Sequence, residues 1–226
     1  ELAQLTLDVR TTKRGERMTE HTPTERRDMP KDLKLDDEVR LDKIKFADER
    51  TVEPLTLAEQ AVVLGAFTLA QRSQPKDELT NEEVLPYLNA ILDNPSETCW
   101  SLKMAALLFR SKLESDSSRT VERAMMQVQT IVDILDATED PKSTDDDDDK
   151  RKWRMKMIYA SRLPPFWEVK AIFIRLLMSM GSTKSALDIA LSVQQWEDVI
   201  HCYHQLELRH KAAEIFAAMP SPGGSN

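Results

Sequence analysis

Apolar residues recur every three or four positions through most of the chain from residue 57 onward. This is the spacing of residues on one face of an α-helix, so the pattern predicts a series of amphipathic helices. Within residues 54–137 short turns separate the apolar stretches, and helices joined by short turns pack as antiparallel neighbours. We therefore expect helical pairs here, with a capping box at Thr80-x-x-Glu83 starting the second helix.

Residues 153–219 carry the most regular pattern and predict two further helical pairs. In the last pair a small residue, Ala212, would let the helices approach each other, while aromatic side chains fill the space around it. Ala186 holds the equivalent place in the preceding pair. The residues that we expect to pack within and between these pairs are Trp167, Ala186, Trp196, Tyr203, Ala212 and Phe216.

A single helical pair with apolar residues on both sides needs a neighbouring pair to cover it. Stacked pairs of this kind form an α-solenoid rather than a closed bundle. The chain has only five glycines, and its many Leu, Ala, Met, Glu, Lys and Gln residues favour helix over strand. The sequence therefore predicts an all-α fold, an α-solenoid of antiparallel helix pairs.

Three polar regions flank or interrupt the helices. Residues 1–53 are densely charged and predict a partly disordered or extended arm, although an apolar strip at 39–46 leaves open an ordered arm that docks on the solenoid. Residues 138–152 contain five consecutive aspartates and predict an acidic disordered loop, with a docking tail for a basic partner as the alternative. Residues 220–226 predict a flexible tail.

The overall composition narrows the classes of partner. The formal net charge is −8, whereas binding to phosphates needs clustered cations, so we expect no direct contact with nucleic acid. No run of about 20 apolar residues is present, so we expect no membrane span. The two cysteines are too few for a disulfide framework, which favours a reducing intracellular compartment.

The clearest candidate for chemistry is a group of histidines and a cysteine at His201, Cys202 and His204. A zinc site needs ligands that converge on one point, and Cys202 is predicted to point away from the two histidines. The sequence also lacks the glycine-rich and nucleophile motifs that bind phosphates or form esterase sites. We therefore expect no enzyme activity, metal or cofactor, and a zinc-binding helical protein remains the less favoured alternative.

The polar positions on residues 196–206 form a candidate partner surface, since the apolar side of this helix would be used for packing. The chaperone-tail clamp of some helical repeats needs Lys or Arg at such positions, and none is present here. Direct capture of an acidic chaperone tail by this pair is therefore not expected. The residues of the candidate surface are Glu197, Asp198, His201, His204 and Gln205.

The sequence W-E-D-V-I-H-C-Y at 196–203, followed by A-A-E-I-F at 212–216 and a proline, resembles the tetratricopeptide repeat. It departs from that pattern at Ile200, where a small residue is usual. Further stretches resemble the tetratricopeptide repeat protein 27 family and occur in the family's order over roughly residues 30–219. These stretches are L-A-E-Q-A-V-V-L-G (57–65), R-T-V-E-R-A-M-M-Q (119–127), L-P-P-F-W (163–167), S-A-L-D-I-A (185–190) and Q-W-E-D-V-I-H-C-Y (195–203).

This resemblance implies a non-catalytic scaffold that binds other proteins. Members of the family are much longer, so we expect the chain to be an internal part of such a protein. The resemblance also implies a cytoplasmic and nuclear factor that assists assembly of the U5 small nuclear ribonucleoprotein with chaperone machinery. Its partners would then be U5 protein subunits and chaperone cofactors. A purely structural spacer within a larger protein is the alternative.

Overall fold

A computed structural model describes residues 29–33, 54–94, 99–138 and 147–218. Its described elements are α-helices, which confirms the predicted all-α class. The apolar strip at 39–46 and the tail at 220–226 lie outside the described residues, as does the first part of the acidic stretch. The helices are α1 (Leu57–Ser73), α2 (Glu78–Leu92), α3 (Trp100–Glu114), α4 (Val121–Thr138), α5 (Asp147–Met155), α6 (Ile158–Ser161), α7 (Phe166–Ser179), α8 (Thr183–Val193), α9 (Trp196–Gln205) and α10 (Arg209–Ala218).

The first two helices begin at side-chain caps. At α1 a capping box is complete, since Thr56 donates its backbone N–H to Glu59 Oε2 at 2.8 Å and Glu59 donates its own to Thr56 Oγ1 at 3.4 Å. The capping box predicted at Thr80 is wrong, because the N-cap of α2 lies three residues earlier. Asp77 caps it instead, and Asp77 Oδ1 accepts the backbone N–H of Thr80 at 2.7 Å.

The long helices pack in chain order, each against the next, so that α4 packs directly on α7. Contacts also join α1 to α3 and α7 to α9, which are the first helices of successive pairs. The turns within the pairs α1–α2, α3–α4, α7–α8 and α9–α10 are short, so neighbouring helices run antiparallel. This arrangement confirms the predicted solenoid of stacked pairs.

Two apolar clusters hold the stack together, and α3 contributes side chains to both. Because α3 lies between α2 and α4, twelve of its fifteen residues are buried. The first cluster includes Leu64, Phe67, Leu88, Ile91, Leu102 and Ala106, from α1, α2 and α3. The second runs from α3 to α9 and includes Leu107, Ile131, Val169, Ile174, Ala186, Ala190, Val199 and Cys202.

The disordered loop predicted over residues 138–152 is wrong for residues 147–152, which belong to α5. The helix begins at Asp147 and carries Lys152 and Arg154 in its last turn, the order of charges that the helix dipole favours. Trp153 packs against the second cluster, and the Arg154 guanidinium lies 5.9 Å from the centre of the Trp100 ring. Tertiary contacts with α3 therefore accompany helix formation in this charged stretch.

The short helix α6 also lies against α3, between left-handed residues Met157 (φ 62°) and Arg162 (φ 53°). Ser101 of α3 donates its hydroxyl to the carbonyl oxygen of Lys156 at the turn between α5 and α6. The segment that interrupts the pairs is thus fixed against α3. In the described ranges, none of the helices is long and apolar enough to cross a membrane.

Candidate interaction surfaces

The six residues predicted to pack within and between the last two pairs differ widely in burial. Ala186 is fully buried, and Tyr203 is half-buried against the second cluster. Ala212, on α10, is also half-buried. Ala186 lies in the second cluster, and Tyr203 packs against it.

Three of the four aromatic residues in this set are exposed, so that part of the packing prediction is wrong. The exposed fraction is 52% for Trp167, 38% for Trp196 and 73% for Phe216. On α9 the buried side chains are Val199 and Cys202, so the buried face is rotated about the helix axis from Trp196 toward Cys202. The spacing is compatible with either face when Cys202 is counted as apolar. The prediction missed the buried face because it did not count Cys202 among the packing residues.

Phe216 is exposed because α10 has α9 as its main packing partner in the described part of the chain. A helix that packs on one neighbour buries one stripe, and Ile215, next to Phe216, occupies that stripe. Phe216 therefore lies outside that stripe.

The candidate partner surface on α9 is accessible. Glu197, His201, His204 and Gln205 are exposed, and Asp198 is half-buried. Gln205 also has an internal contact, since its Oε1 accepts the hydroxyl of Thr183 at 3.1 Å and so ties α9 to the first residue of α8. Whether this surface binds a partner stays a prediction.

The thiol of Cys202 lies in the apolar cluster, while His201 and His204 face outward. Burial, followed by the nearby Asp198 carboxylate, raises the pKa of the Cys202 thiol. Across residues 29–33, 54–94, 99–138 and 147–218 no three His, Cys, Asp or Glu side chains come together as a metal site would require.

A second surface, which the sequence analysis missed, lies on α3 and α4. We call it the polar strip and define it as Arg110, Glu114, Arg123 and Gln127. The Glu114 carboxylate sits between the two arginines: Arg123 Nε donates to Glu114 Oε2 at 3.1 Å, and Arg110 Nε lies 3.7 Å from Glu114 Oε1. Burial raises the pKa of Glu114, although both guanidinium groups act to lower it.

The polar strip holds the segment of residues 29–33. Gln127, which is fully buried, donates from Nε2 to the carbonyl oxygen of Lys31 at 3.0 Å and accepts the backbone N–H of Leu33 at Oε1 at 2.9 Å. Arg110 forms a two-point ion pair with the Asp32 carboxylate, in which Nη1 and Oδ2 are 3.3 Å apart. The signal for this surface in the sequence was Arg110, which lies three positions from Leu107 and three from Leu113 and so falls on an apolar face of α3.

The chain is similar to several proteins named for tetratricopeptide repeats. It is 29% identical to a TPR repeat-containing protein of Schizosaccharomyces pombe over 82% of this chain and 28% of that protein. It is 30% identical to a tetratricopeptide repeat-containing protein of Caenorhabditis elegans over 83% of this chain and 24% of that protein. A tetratricopeptide repeat protein 27 homolog of Dictyostelium discoideum is 27% identical over 70% of this chain and 17% of that protein.

The chain belongs to a tetratricopeptide-repeat family of the tetratricopeptide repeat protein 27 type. It spans about a quarter of the length of the first two of these relatives. No family model matches the chain, and no solved structure matches it either. Membership in this family supports protein–protein interaction as the general role of the fold.

Proposed function

We propose that the chain is one section of a larger scaffold that binds other proteins through the surface of its stacked helices. The observation that carries this proposal is the contact between the first helices of successive pairs, α1 with α3 and α7 with α9. Such contacts build one extended surface from several pairs, and solenoids use surfaces of this kind to hold protein partners.

We further propose that the whole protein assists assembly of the U5 small nuclear ribonucleoprotein together with chaperone cofactors, in the cytoplasm and the nucleus. The support for this role is the resemblance to the tetratricopeptide repeat protein 27 family. The acidic net charge of this section favours contact with U5 protein subunits over direct contact with RNA.

Within this section we place the partner surface on α9, at Glu197, Asp198, His201, His204 and Gln205. Four of these side chains are exposed. Their mixture of carboxylate, imidazole and amide groups is suited to a polar protein surface rather than to a phosphate backbone.

Affinity purification of the full-length protein from cells tests both levels of the proposal. Glu197→Lys reverses an exposed charge on α9, and Glu122→Lys makes the same change at an exposed position on α4. We expect Glu197→Lys to reduce the recovery of partner proteins and Glu122→Lys to leave it unchanged.

The wild-type sample separates the two levels. If partner proteins are recovered but U5 subunits and chaperone cofactors are not among them, the U5 role is contradicted and the scaffold role is not. If partner recovery is the same for the wild-type protein and for both variants, the α9 surface is not used, which favours a structural spacer.

A further inference from the structure

The polar strip binds the 29–33 segment in part through backbone groups that every peptide has. The Gln127 side-chain amide bonds to the carbonyl oxygen of Lys31 and to the backbone N–H of Leu33, two residues apart. This is the pairing that a neighbouring β-strand would offer to an extended peptide. Gln127 therefore fixes the direction and register of the segment without reading the side chain of Lys31, which is exposed.

Two side chains of the segment are recognised individually. Asp32 meets the Arg110 guanidinium at two points, and the two side chains are only 16% and 9% exposed. Pro30 is buried, and Met29 before it packs against the second apolar cluster. In this segment a buried proline is thus followed by an exposed residue and then by an aspartate bound to Arg110.

The free-energy cost of burying these charged side chains favours a role in recognition over a role in stability. Burying an ion pair removes both charges from water, and an apolar pair of the same size often stabilises a fold equally well or better. Here Glu114 holds Arg110 and Arg123, and all three side chains are 15% exposed or less. A guanidinium fixed in this way is pre-organised for two-point binding of a carboxylate.

We propose that the polar strip is a binding site for an extended peptide of the pattern Pro-x-Asp, which the 29–33 segment occupies within the chain. A segment of a partner protein with this pattern binds there by replacing residues 29–33. The site is separate from the α9 surface, so it adds to the scaffold role and does not depend on the U5 assignment.

Exchange is controlled by the covalent connection of the resident segment. A tethered segment competes at an effective concentration on the order of millimolar, so a free peptide at micromolar concentration does not displace it. A partner that also contacts another part of the scaffold presents its own segment at a similar effective concentration. The resident segment, residues 29–33, therefore excludes free peptides and admits partners that also contact the scaffold at a second point.

The experiment uses the full chain and a fluorescein-labelled synthetic peptide with the sequence of residues 27–35, followed by fluorescence anisotropy. The substitutions Pro30→Ser and Asp32→Ser in the chain weaken the resident segment. We expect the doubly substituted chain to bind the peptide at least about tenfold more tightly than the wild-type chain does, because competition within the chain is lost. Asp32→Ser alone serves as a second, milder variant.

Changes in the peptide test specificity without altering the fold of the chain. A peptide with Asn at the position of Asp32 lacks the charge-assisted bond to Arg110, and we expect it to bind about tenfold to a hundredfold more weakly. A peptide with Asn at the position of Lys31 is the matched control and should bind as tightly as the parent peptide, since that side chain is exposed.

The proposal is overturned if the substituted chains bind the peptide no better than the wild-type chain, or if the Asp-to-Asn peptide binds as tightly as its parent. Gln127→Ala in the doubly substituted chain, with its helical circular dichroism checked, should abolish binding. None of these outcomes depends on whether U5 proteins are recovered from cells, so a failure here leaves the proposed function to its own test.

Discussion

Glu114 shows how a single buried charge links stability to pH. Its carboxylate is buried between Arg110 and Arg123, and burial outweighs the two guanidinium groups so that its pKa lies above the ordinary value of 4.5. The native state therefore binds this proton more tightly than the unfolded state does. The contribution of Glu114 to stability is greatest below pH 4.5 and is lost as the pH rises through the folded-state pKa.

The variant Glu114→Gln isolates this effect, since the amide does not titrate. We expect the stability of the wild-type protein relative to the variant to fall as the pH is raised from 4.5. Melting temperatures of both proteins at a series of pH values measure it. A wild-type advantage that grows with pH over the same interval would show that ion pairing, rather than burial, dominates at Glu114.

Burial also ranks the apolar side chains by their importance. Leu107 is fully buried in the second cluster, and we expect Leu107→Ala to lower the free energy of unfolding by about 2–5 kcal/mol. Phe216 is mostly exposed, and Phe216→Ala should change it by no more than about 0.5 kcal/mol. Denaturant titration compares the two variants, and a large loss for Phe216→Ala would mean that α10 packs differently.

Periodicity located the helices well but could not always choose the buried face. On α9 the apolar residues Trp196, Val199, Ile200 and Tyr203 and the small Cys202 allow more than one face to be buried. The structure buries Val199 and Cys202, because these positions meet the preceding pair. The choice depends on tertiary contacts that a one-dimensional pattern does not contain.

The acidic stretch before α5 shows the same limit for a whole element. Five aspartates followed by basic residues are typical of a solvated loop, and local propensity alone favours that interpretation. The part from Asp147 onward is helical, with Trp153 packed on the second cluster and Arg154 close to the Trp100 ring. Contacts with a distant helix thus override the local composition.

The two cysteines report on separate parts of the stack. Cys99 belongs to the first apolar cluster, and Cys202 belongs to the second. Both thiols are buried, and burial with the Asp198 carboxylate raises the pKa of Cys202, so the native protein contains little of its reactive thiolate. Alkylation of Cys202 therefore requires α9 to open.

We expect Val199→Ala to accelerate alkylation of Cys202 by iodoacetamide and to affect Cys99 much less, since the substitution loosens α9 locally. Mass spectrometry of the two cysteine-containing peptides over time gives both rates from one sample. Equal acceleration of the two cysteines would indicate that the stack opens as one unit and would contradict local opening.

At the scale of the molecule, the order and pairing of the long helices followed from the sequence. The docking of residues 29–33 did not, because Gln127 and Leu33 are 94 positions apart and share no local pattern. Arg110 on an apolar face of α3 was a visible signal, but its partner Asp32 lies in a stretch where charged residues are common. Long-range polar contacts of this kind are the part of the fold that composition and periodicity leave open.

The scaffold role is tested most directly by cross-linking the full-length protein in cells with a lysine-reactive reagent. Lys184 on α8 and Lys211 on α10 are exposed and belong to the helices that flank the α9 surface. We expect mass spectrometry to identify cross-links from these two lysines to other proteins, and Glu197→Lys to reduce them. Cross-links that join these lysines only to residues of the same protein would contradict a protein-binding role for this section.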